Sequence, residues 1–210
     1  MRFGIFIYDG VEPIDLAAFG VLSMAQRIEP QIEIVTIAPQ SGLVALSNGL
    51  RVFAEYGIDN APACDVVIVT GGPGWVQQAS AQATRDYLRQ LSADTLIASV
   101  CTGAMILAAS GRLSGMPATT KREVVPPERP PIDVLRESYP DIRVAEASLI
   151  DAGPVVTGGG VSLCIDTTLH ILARVAGEDV ANEAARILEY TRARRANSVD
   201  FPPVVVRGAA

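Results

Sequence analysis

A cysteine at the junction of an apolar run and a helical pattern is the residue best suited to covalent chemistry. Residues 97–100 are apolar apart from Ser99 and are typical of a buried strand. Cys101 follows them, and helical periodicity begins by Met105. A strand that turns sharply into a helix places the junction side chain at the carboxyl edge of a sheet, beside a helix amino terminus whose partial positive charge favours a thiolate. The pattern therefore predicts a nucleophile elbow with Cys101 at its tip. A buried, unreactive thiol is the alternative.

A carboxyl group and two glycine turns are predicted to meet this elbow. Asp15 follows the first apolar run, residues 2–8, while Gly71-Gly72 and Gly158–Gly160 each come directly after a strand-like run. In a doubly wound sheet these points share the carboxyl edge. Backbone N–H groups of Gly71, Gly72 and Gly159 would then be oxyanion donors, and Asp15 a proton-transfer group. The alternative for Asp15 is a plain helix N-cap.

The residues that other catalytic designs need are missing from the pattern. The single histidine, His170, falls within a helical pattern between Leu169 and Ile171, which favours a packing role over a Cys-His pair. One histidine and scattered cysteines do not supply a metal site. The turn at residues 71–74 lacks the Gly-Lys-Ser/Thr of a phosphate loop, which argues against nucleotide binding. The sequence thus predicts a thiol that works with a carboxyl partner and without metal.

The elements that must position these groups alternate between strand and helix. Strands are predicted over residues 2–8, 32–38, 64–70, 97–100, 117–120, 143–145 and 154–157, and helices over 15–30, 79–91, 132–139, 161–176 and 178–191, with a further helix after the elbow. This alternation is typical of an α/β fold with a doubly wound, mostly parallel sheet flanked by helices. A hairpin around Ser47–Gly49 and a proline-rich loop over residues 121–131 lie outside the alternation. One domain over residues 1–210 is predicted.

The composition limits which kinds of partner and which cellular compartment are expected. Hydrophobic residues make up 49% and charged residues 19%, and the formal net charge is -6 at pH 7, which disfavours disorder and a nucleic-acid partner. Cys64, Cys101 and Cys164 show no paired spacing, so reduced thiols and a cytoplasmic location are expected. No signal peptide or membrane-spanning apolar segment is apparent. A small-molecule substrate is the expected partner, with no membrane partner.

Several of these runs together resemble the DJ-1/PfpI superfamily. The resemblance is carried by Ser99–Ala104, Ala118–Thr120, Gly71-Gly72, Val156–Gly160 and Ile165-Asp166, and it extends from Arg2 to about Tyr190. Ile14–Leu16 together with Val100–Gly103 is most similar to the isocyanide hydratase branch, which is related to the amidase-like domains of AraC-type regulators. The resemblance implies a flavodoxin-like fold of the class I glutamine amidotransferase type.

The resemblance also implies a mechanism and a set of site residues. The Cys101 thiolate would attack the terminal carbon of an organic isocyanide. Asp15 would handle the proton and help water to hydrolyse the resulting thioimidate, giving an N-formamide. Backbone N–H groups near Gly72 and Thr102 would hold the sulfur or developing charge, and the Thr102 hydroxyl would position water. The superfamily implies a homodimer, and no cofactor.

Two other functions remain open at this point. One is a non-enzymatic, redox-responsive or small-molecule-binding protein that keeps the elbow without turnover. The other is glyoxalase-type or amidase-type activity, which requires a base that only Glu12 could supply. Many members of the superfamily carry a histidine after Ala-Thr-Thr, where this chain has Lys121, a poor general base unless it is desolvated. This departure leaves hydration dependent on Asp15.

Overall fold

The strands form one large sheet and two small ribbons. A computed structural model describes residues 1–206; the end of the predicted domain, residues 207–210, lies outside the described residues. The strands are β1 (Arg2–Phe6), β2 (Glu33–Ala38), β3 (Gly42–Ala45), β4 (Arg51–Ala54), β5 (Tyr56–Gly57), β6 (Val66–Val69), β7 (Leu96–Ser99), β8 (Pro117–Ala118), β9 (Arg143–Val144), β10 (Leu149–Asp151), β11 (Val155–Gly158) and β12 (Val204–Val205).

Helices connect the strands and pack into two groups. They are α1 (Ala17–Ala25), α2 (Trp75–Ser80), α3 (Gln82–Gln90), α4 (Gly103–Ser110), α5 (Pro131–Ser138), α6 (Cys164–Ala176), α7 (Glu178–Ile187) and α8 (Thr191–Asp200). The first group is α1, α6 and α7, and the second is α2, α3 and α4. Within residues 1–206, no helix has the length and apolar character that crossing a bilayer requires.

The large sheet has eight strands in the order β12-β10-β11-β7-β6-β1-β2-β5. Its neighbouring strands run parallel except β10 and β11, which are antiparallel. Parallel pairing requires crossover connections, and the intervening helices provide them. Both faces of β6 and β7 are buried, as expected for central strands of such a sheet. The mostly parallel, helix-flanked α/β fold is therefore confirmed.

The predicted hairpin forms a ribbon apart from the large sheet. Strands β3 and β4 pair with each other in antiparallel register, and Leu43 lies opposite Phe53. Leu43 is 73% exposed and Phe53 is 65% exposed. Two large apolar side chains thus stand side by side on the surface, which matters for the oligomeric state considered below.

The helix predicted over residues 79–91 is wrong in its bounds. The chain forms two helices, α2 and α3, because Ala81 takes extended backbone angles between them. The Ser80 hydroxyl donates to the carbonyl oxygens of Val76 and Gln77, an arrangement that competes with the helical ladder and ends α2.

The end of the chain also differs from the prediction. The helix predicted over residues 178–191 stops at Ile187, since Glu189 adopts a positive φ of 55°. Helix α8 then begins, and the apolar tail adds β12 to the sheet edge beside β10. Neither α8 nor β10 was predicted, because α8 has no buried residue and no apolar stripe, and β10 has three residues.

The fold brings the chemistry-bearing segments to one edge. Strands β11, β7, β6 and β1 are consecutive neighbours in the sheet and run parallel. The segments that follow their carboxyl ends contain Gly159, Cys101, Gly71 and Asp15, respectively. The topology therefore places four of the predicted site residues around one crevice.

Candidate active site

Cys101 occupies a strained elbow between β7 and α4. Its φ is 51°, a left-handed value that costs energy for a residue with a side chain. The surrounding structure fixes this conformation from both sides: the Cys101 N–H donates to the Gly159 carbonyl at 3.0 Å, and the Thr120 hydroxyl donates to the Cys101 carbonyl at 2.7 Å. The predicted strand-to-helix elbow is confirmed, and the Cys101 side chain at its tip is only 2% exposed. The role of Cys101 as a nucleophile stays a prediction.

Asp15 is a buried partner of the elbow, and the N-cap interpretation is wrong. It lies in a short 3₁₀ turn, Pro13–Leu16, and α1 begins after it at Ala17. The side chain is fully buried, and its Oδ2 accepts a 2.8 Å hydrogen bond from the Gly71 N–H. Among residues 1–206 no hydrogen-bond partner is found for its buried Oδ1, and the negative charge of Asp15 acts on the Cys101 thiol. The carboxyl group thus serves the crevice rather than the helix end.

Burial keeps the proton on this pair of groups. Desolvation raises the pKa of Asp15 to about 7, although the Gly71 N–H and the Cys101 side chain partly oppose the shift. Desolvation also raises the pKa of the Cys101 thiol well above its usual range, and the negative charge of Asp15 adds to this. The helix amino terminus favours the thiolate only in part, through the Thr102 N–H, and burial outweighs this effect. A helix dipole contributes only about 0.3–1 kcal/mol, which burial beside a carboxylate outweighs.

Thr102 and Lys121 oppose the upward shift of the Cys101 pKa. The Thr102 N–H and hydroxyl, together with the positive charge of Lys121, lower the Cys101 pKa in part. The same lysine lowers the pKa of Asp15 in part. The Lys121 ammonium donates to the backbone carbonyl of Glu123. Lys121 thus supplies a cation at this site, whose charge favours the ionised forms of both groups.

The three glycines predicted as oxyanion donors use their N–H groups within the protein. The Gly71 N–H is bound to Asp15, the Gly72 N–H donates to Thr102 Oγ1 at 2.8 Å, and the Gly159 N–H donates to the Ser148 carbonyl at 2.8 Å. The geometry therefore does not support free oxyanion donors at these positions. It also ties the Thr102 hydroxyl, expected to position water, to Gly72.

Close packing explains why glycine is required after β6. A Cβ at Gly71 would lie 2.4 Å from the Thr102 nitrogen and 2.8 Å from the Cys101 Cβ. Gly72 has a φ of 139°, and a Cβ there would lie 2.3 Å from the Glu12 nitrogen. These glycines bring two loops against the elbow, which is how Asp15 and Glu12 come close to Cys101.

A cavity of about 510 Å³ opens above the elbow. Its apolar wall is formed by Pro73, Trp75, Val124, Pro131, Val134 and Val161. Its polar lining includes Glu12, Cys101, Thr102, Lys121, Glu128 and Arg129. Asp15 does not line the cavity and lies behind Cys101. The proline-rich loop over residues 121–131 supplies much of the lining of this cavity.

Some charged groups of the cavity form ion pairs and others do not. Arg129 is paired with Glu137 through two contacts of 2.7 and 2.8 Å. Within residues 1–206, the carboxylates of Glu12 and Glu128 make no hydrogen bond or ion pair. The cavity therefore presents two unengaged carboxylates beside an apolar wall.

His170 lies outside this site. Its Nε2 contacts Asp151 Oδ2 at 2.7 Å, and Arg174 binds the other oxygen of Asp151 at 2.7 Å. His170 is not among the residues that line the cavity. No group of three or more potential metal ligands lies together in the part of the chain that the structure describes.

Two backbone contacts of the elbow were missed by sequence reasoning. The Thr120 hydroxyl and the Gly159 carbonyl hold the backbone of Cys101. Both residues lie in motifs that carried the family resemblance, Ala118–Thr120 and Val156–Gly160. The motifs indicated that these residues matter for the site. Their contacts with Cys101 depend on the directions of the Gly159 carbonyl and the Thr120 hydroxyl, which the sequence does not show.

Comparison with known proteins gives matches over most of the chain. Residues 1–127 match the DJ-1/PfpI family. Isonitrile hydratase of Pseudomonas putida is 27% identical over 198 residues, which cover 92% of this chain and 80% of that protein. The helix-turn-helix-type transcriptional regulator GbdR of Pseudomonas aeruginosa is 28% identical over 200 residues, covering 91% of this chain and 51% of the regulator. The chain thus spans about half the length of that regulator.

Solved structures show the same fold. Drosophila melanogaster DJ-1beta superposes with a TM-score of 0.74 at 20% identity, covering 90% of this chain and 97% of that one. A ThiJ/PfpI family protein from Pseudomonas syringae gives a TM-score of 0.76 at 22% identity, covering 96% of this chain and 87% of that one. The sheet order, the elbow and the sequence match agree, and the chain belongs to the DJ-1/PfpI family.

Proposed function

We propose that this protein is a cysteine-dependent hydratase that converts an organic isocyanide into its N-formamide without a cofactor. One observation carries the proposal: Cys101 lines an apolar-walled cavity, and the buried carboxyl group of Asp15 lies directly behind it. A thiol with an adjacent carboxylate can both attack an electrophilic carbon and move the proton that the attack releases. The match to isonitrile hydratase over 80% of that protein supports the same chemistry.

The first step adds the thiol across the terminal isocyanide carbon. Asp15 in its ionised form accepts the Cys101 proton while Sγ forms a bond to the carbon. The proton then passes to that carbon, which gives the thioimidate R–N=CH–S–Cys101 and restores the Asp15 carboxylate. The charge of Lys121 and the N–H of Thr102 favour the transient thiolate. The apolar wall holds the R group of the isocyanide.

The second step is hydrolysis of the thioimidate. Water adds to its carbon, the nitrogen gains a proton, and the tetrahedral intermediate loses the sulfur of Cys101 as the free thiol. The product is R–NH–CHO, and one water is consumed in each cycle. No oxidation or reduction occurs.

The test is turnover of a simple isocyanide. Purified protein is incubated with cyclohexyl isocyanide, and N-cyclohexylformamide is measured by liquid chromatography with mass spectrometry. Conversion is expected with the unaltered chain and absent with Cys101→Ala. Cys64→Ala is the matched control, because Cys64 is another buried thiol that does not line the cavity. Equal turnover by the Cys101→Ala variant would exclude the proposal.

A second candidate is a non-enzymatic small-molecule-binding or redox-responsive role. The match to a transcriptional regulator over 91% of this chain favours it. Mass spectrometry after mild peroxide treatment distinguishes the two: selective sulfinic acid at Cys101 with no formamide production supports the second candidate. The raised pKa of Cys101 weighs against fast oxidation, because the thiolate is the species that reacts.

The assembly and compartment proposed for the protein are a homodimer in the cytoplasm. The superfamily resemblance supports the dimer, and the exposed pair Leu43 and Phe53 offers an apolar contact. Three unpaired thiols suit a reducing compartment. Light scattering of the purified protein measures the assembly directly.

A further inference from the structure

We propose that Glu12 is the general base that activates the water in the second step, so that hydrolysis of the Cys101 adduct does not depend on Asp15 for this proton transfer. This inference rests on the proposed hydratase function. It divides the two proton transfers between two carboxylates, one behind the thiol and one on the cavity wall.

Asp15 has no direct access to water in the cavity. Its side chain is fully buried, its Oδ2 is bound to the Gly71 N–H, and it is not among the cavity-lining residues. Cys101 does line the cavity. A substrate carbon bonded to Sγ therefore extends into the cavity, and water reaches that carbon from the cavity, whose lining does not include Asp15.

Glu12 lies on the side from which the water comes. Its carboxylate lines the cavity together with Cys101 and Thr102, and it makes no hydrogen bond or ion pair within residues 1–206. Its backbone is fixed next to the elbow, since its N–H donates to the Gly71 carbonyl at 2.9 Å. The positive φ of Gly72 allows this approach, and a Cβ there would overlap the Glu12 nitrogen. An unengaged carboxylate on a backbone held next to the elbow is suited to accept a proton from water.

The other polar groups of the cavity fit this task less well. The Lys121 ammonium has no lone pair while charged, and it donates to the Glu123 carbonyl. The Thr102 hydroxyl is occupied with Gly72. Glu128 is exposed on the proline-rich loop, whereas the backbone of Glu12 is tied to the glycine turn next to the elbow. The geometry therefore favours Glu12.

The step is balanced with respect to atoms and protons. Glu12 takes one proton from water while the oxygen bonds to the thioimidate carbon. Glu12 then returns that proton to the nitrogen, giving R–NH–CH(OH)–S–Cys101. The carbon–sulfur bond breaks as the hydroxyl proton passes to the sulfur, and the formamide leaves.

The test separates formation of the covalent adduct from its breakdown. The unaltered chain, Glu12→Gln and Glu178→Gln are mixed with cyclohexyl isocyanide, quenched at intervals and weighed intact by mass spectrometry. For Glu12→Gln we expect the adduct to form within about twofold of the normal rate and to break down about 100-fold more slowly, so that it accumulates. Glu178 is an exposed carboxylate on α7, and its replacement should leave both rates unchanged.

Each outcome has a distinct meaning. Breakdown at the normal rate in Glu12→Gln overturns the role of Glu12 while leaving the hydratase function in place. Equal slowing of both steps also overturns it, since a purely structural role would slow both. If the unaltered chain gives neither adduct nor formamide, the hydratase function fails, and the role of Glu12 fails with it.

Discussion

The backbone N–H of Gly71 donates a 2.8 Å hydrogen bond to one carboxylate oxygen of Asp15, while the other oxygen is buried and has no hydrogen-bond partner within residues 1–206. The carboxyl group is thus held by one backbone donor and lies beside the Cys101 thiol. Such an arrangement makes the ionised form costly, and burial accordingly raises the Asp15 pKa to about 7. The pair is built for proton transfer at the expense of stability.

Asp15→Asn is expected to stabilise the fold at alkaline pH. The folded-state pKa of Asp15 is about 7 and its usual value is 3.8, so the folded chain binds this proton more tightly than the unfolded chain. The stability from this proton is fully present below about pH 4 and is lost as pH rises through about 7. At pH 8 the variant should gain about 2–4 kcal/mol in the free energy of unfolding.

The measurement for that variant is urea unfolding of both proteins at pH 4.5 and pH 8. The gain should shrink at the lower pH, because the unaltered chain then keeps its proton in the folded state. An equal gain at both pH values would contradict the proposed cause.

Turnover is expected to rise with pH through about 7. Asp15 must be ionised to accept the thiol proton, and it loses its own proton in that range. The measurement is kcat/KM for cyclohexyl isocyanide from pH 5.5 to 9. A rate that falls across this interval would show that the protonated carboxyl group is the active form.

Removal of the Asp15 charge should make Cys101 more reactive toward a simple alkylating agent. The negative charge raises the thiol pKa, so Asp15→Asn lowers that pKa and increases the thiolate fraction at pH 8. We expect several-fold faster labelling of Cys101 by iodoacetamide, followed by peptide mass spectrometry, together with loss of isocyanide turnover. Slower labelling would mean that Asp15 assists any attack by the thiol, and that its charge effect is secondary.

Gly72→Ala is expected to destabilise the protein by more than about 2 kcal/mol. The new Cβ would overlap the Glu12 nitrogen and the Gly10 carbonyl oxygen at 2.3 Å, on a residue whose φ is 139°. Gly20→Ala is the control, because nothing lies within 4 Å of a Cβ there and α1 gains a better helix former. Thermal unfolding of the two variants should shift in opposite directions.

The exposed hairpin pair is expected to contribute to a dimer. Leu43→Ser combined with Phe53→Ser removes two apolar side chains that are already exposed in one chain, so the fold itself should be little affected. Multi-angle light scattering is expected to show a larger monomer fraction for the double variant. A monomeric unaltered chain, or a dimer insensitive to the change, would exclude this hairpin as the contact.

The strand ends that form the site could be predicted from the sequence, because topology alone brings them together. The apolar run before Cys101 and the glycines after β6 are local signals, and parallel pairing puts their ends at one edge. Strand β10 and helix α8 could not be predicted, because β10 has only three residues and α8 has no apolar stripe. Neither segment therefore shows a recognisable hydrophobic periodicity.

The protonation and the donor roles could not be predicted in the same way. The direction of the Gly71 and Gly159 N–H groups depends on which loop packs against each glycine, and that is a long-range property. The thiol pKa depends on how deeply Asp15 and Cys101 are buried together, whereas the helix amino terminus is visible locally. Local signals therefore identified the residues, and tertiary packing decided their charges.

Trp75 gives the cavity a spectroscopic signal of its own. It is the only tryptophan in the chain, and its indole is part of the cavity wall. Its emission therefore reports on a single location, without a background from other indoles. A ligand that enters the cavity displaces solvent from that ring, so titration of the intrinsic fluorescence reads occupancy in the unlabelled protein, including variants that have lost the Cys101 thiol.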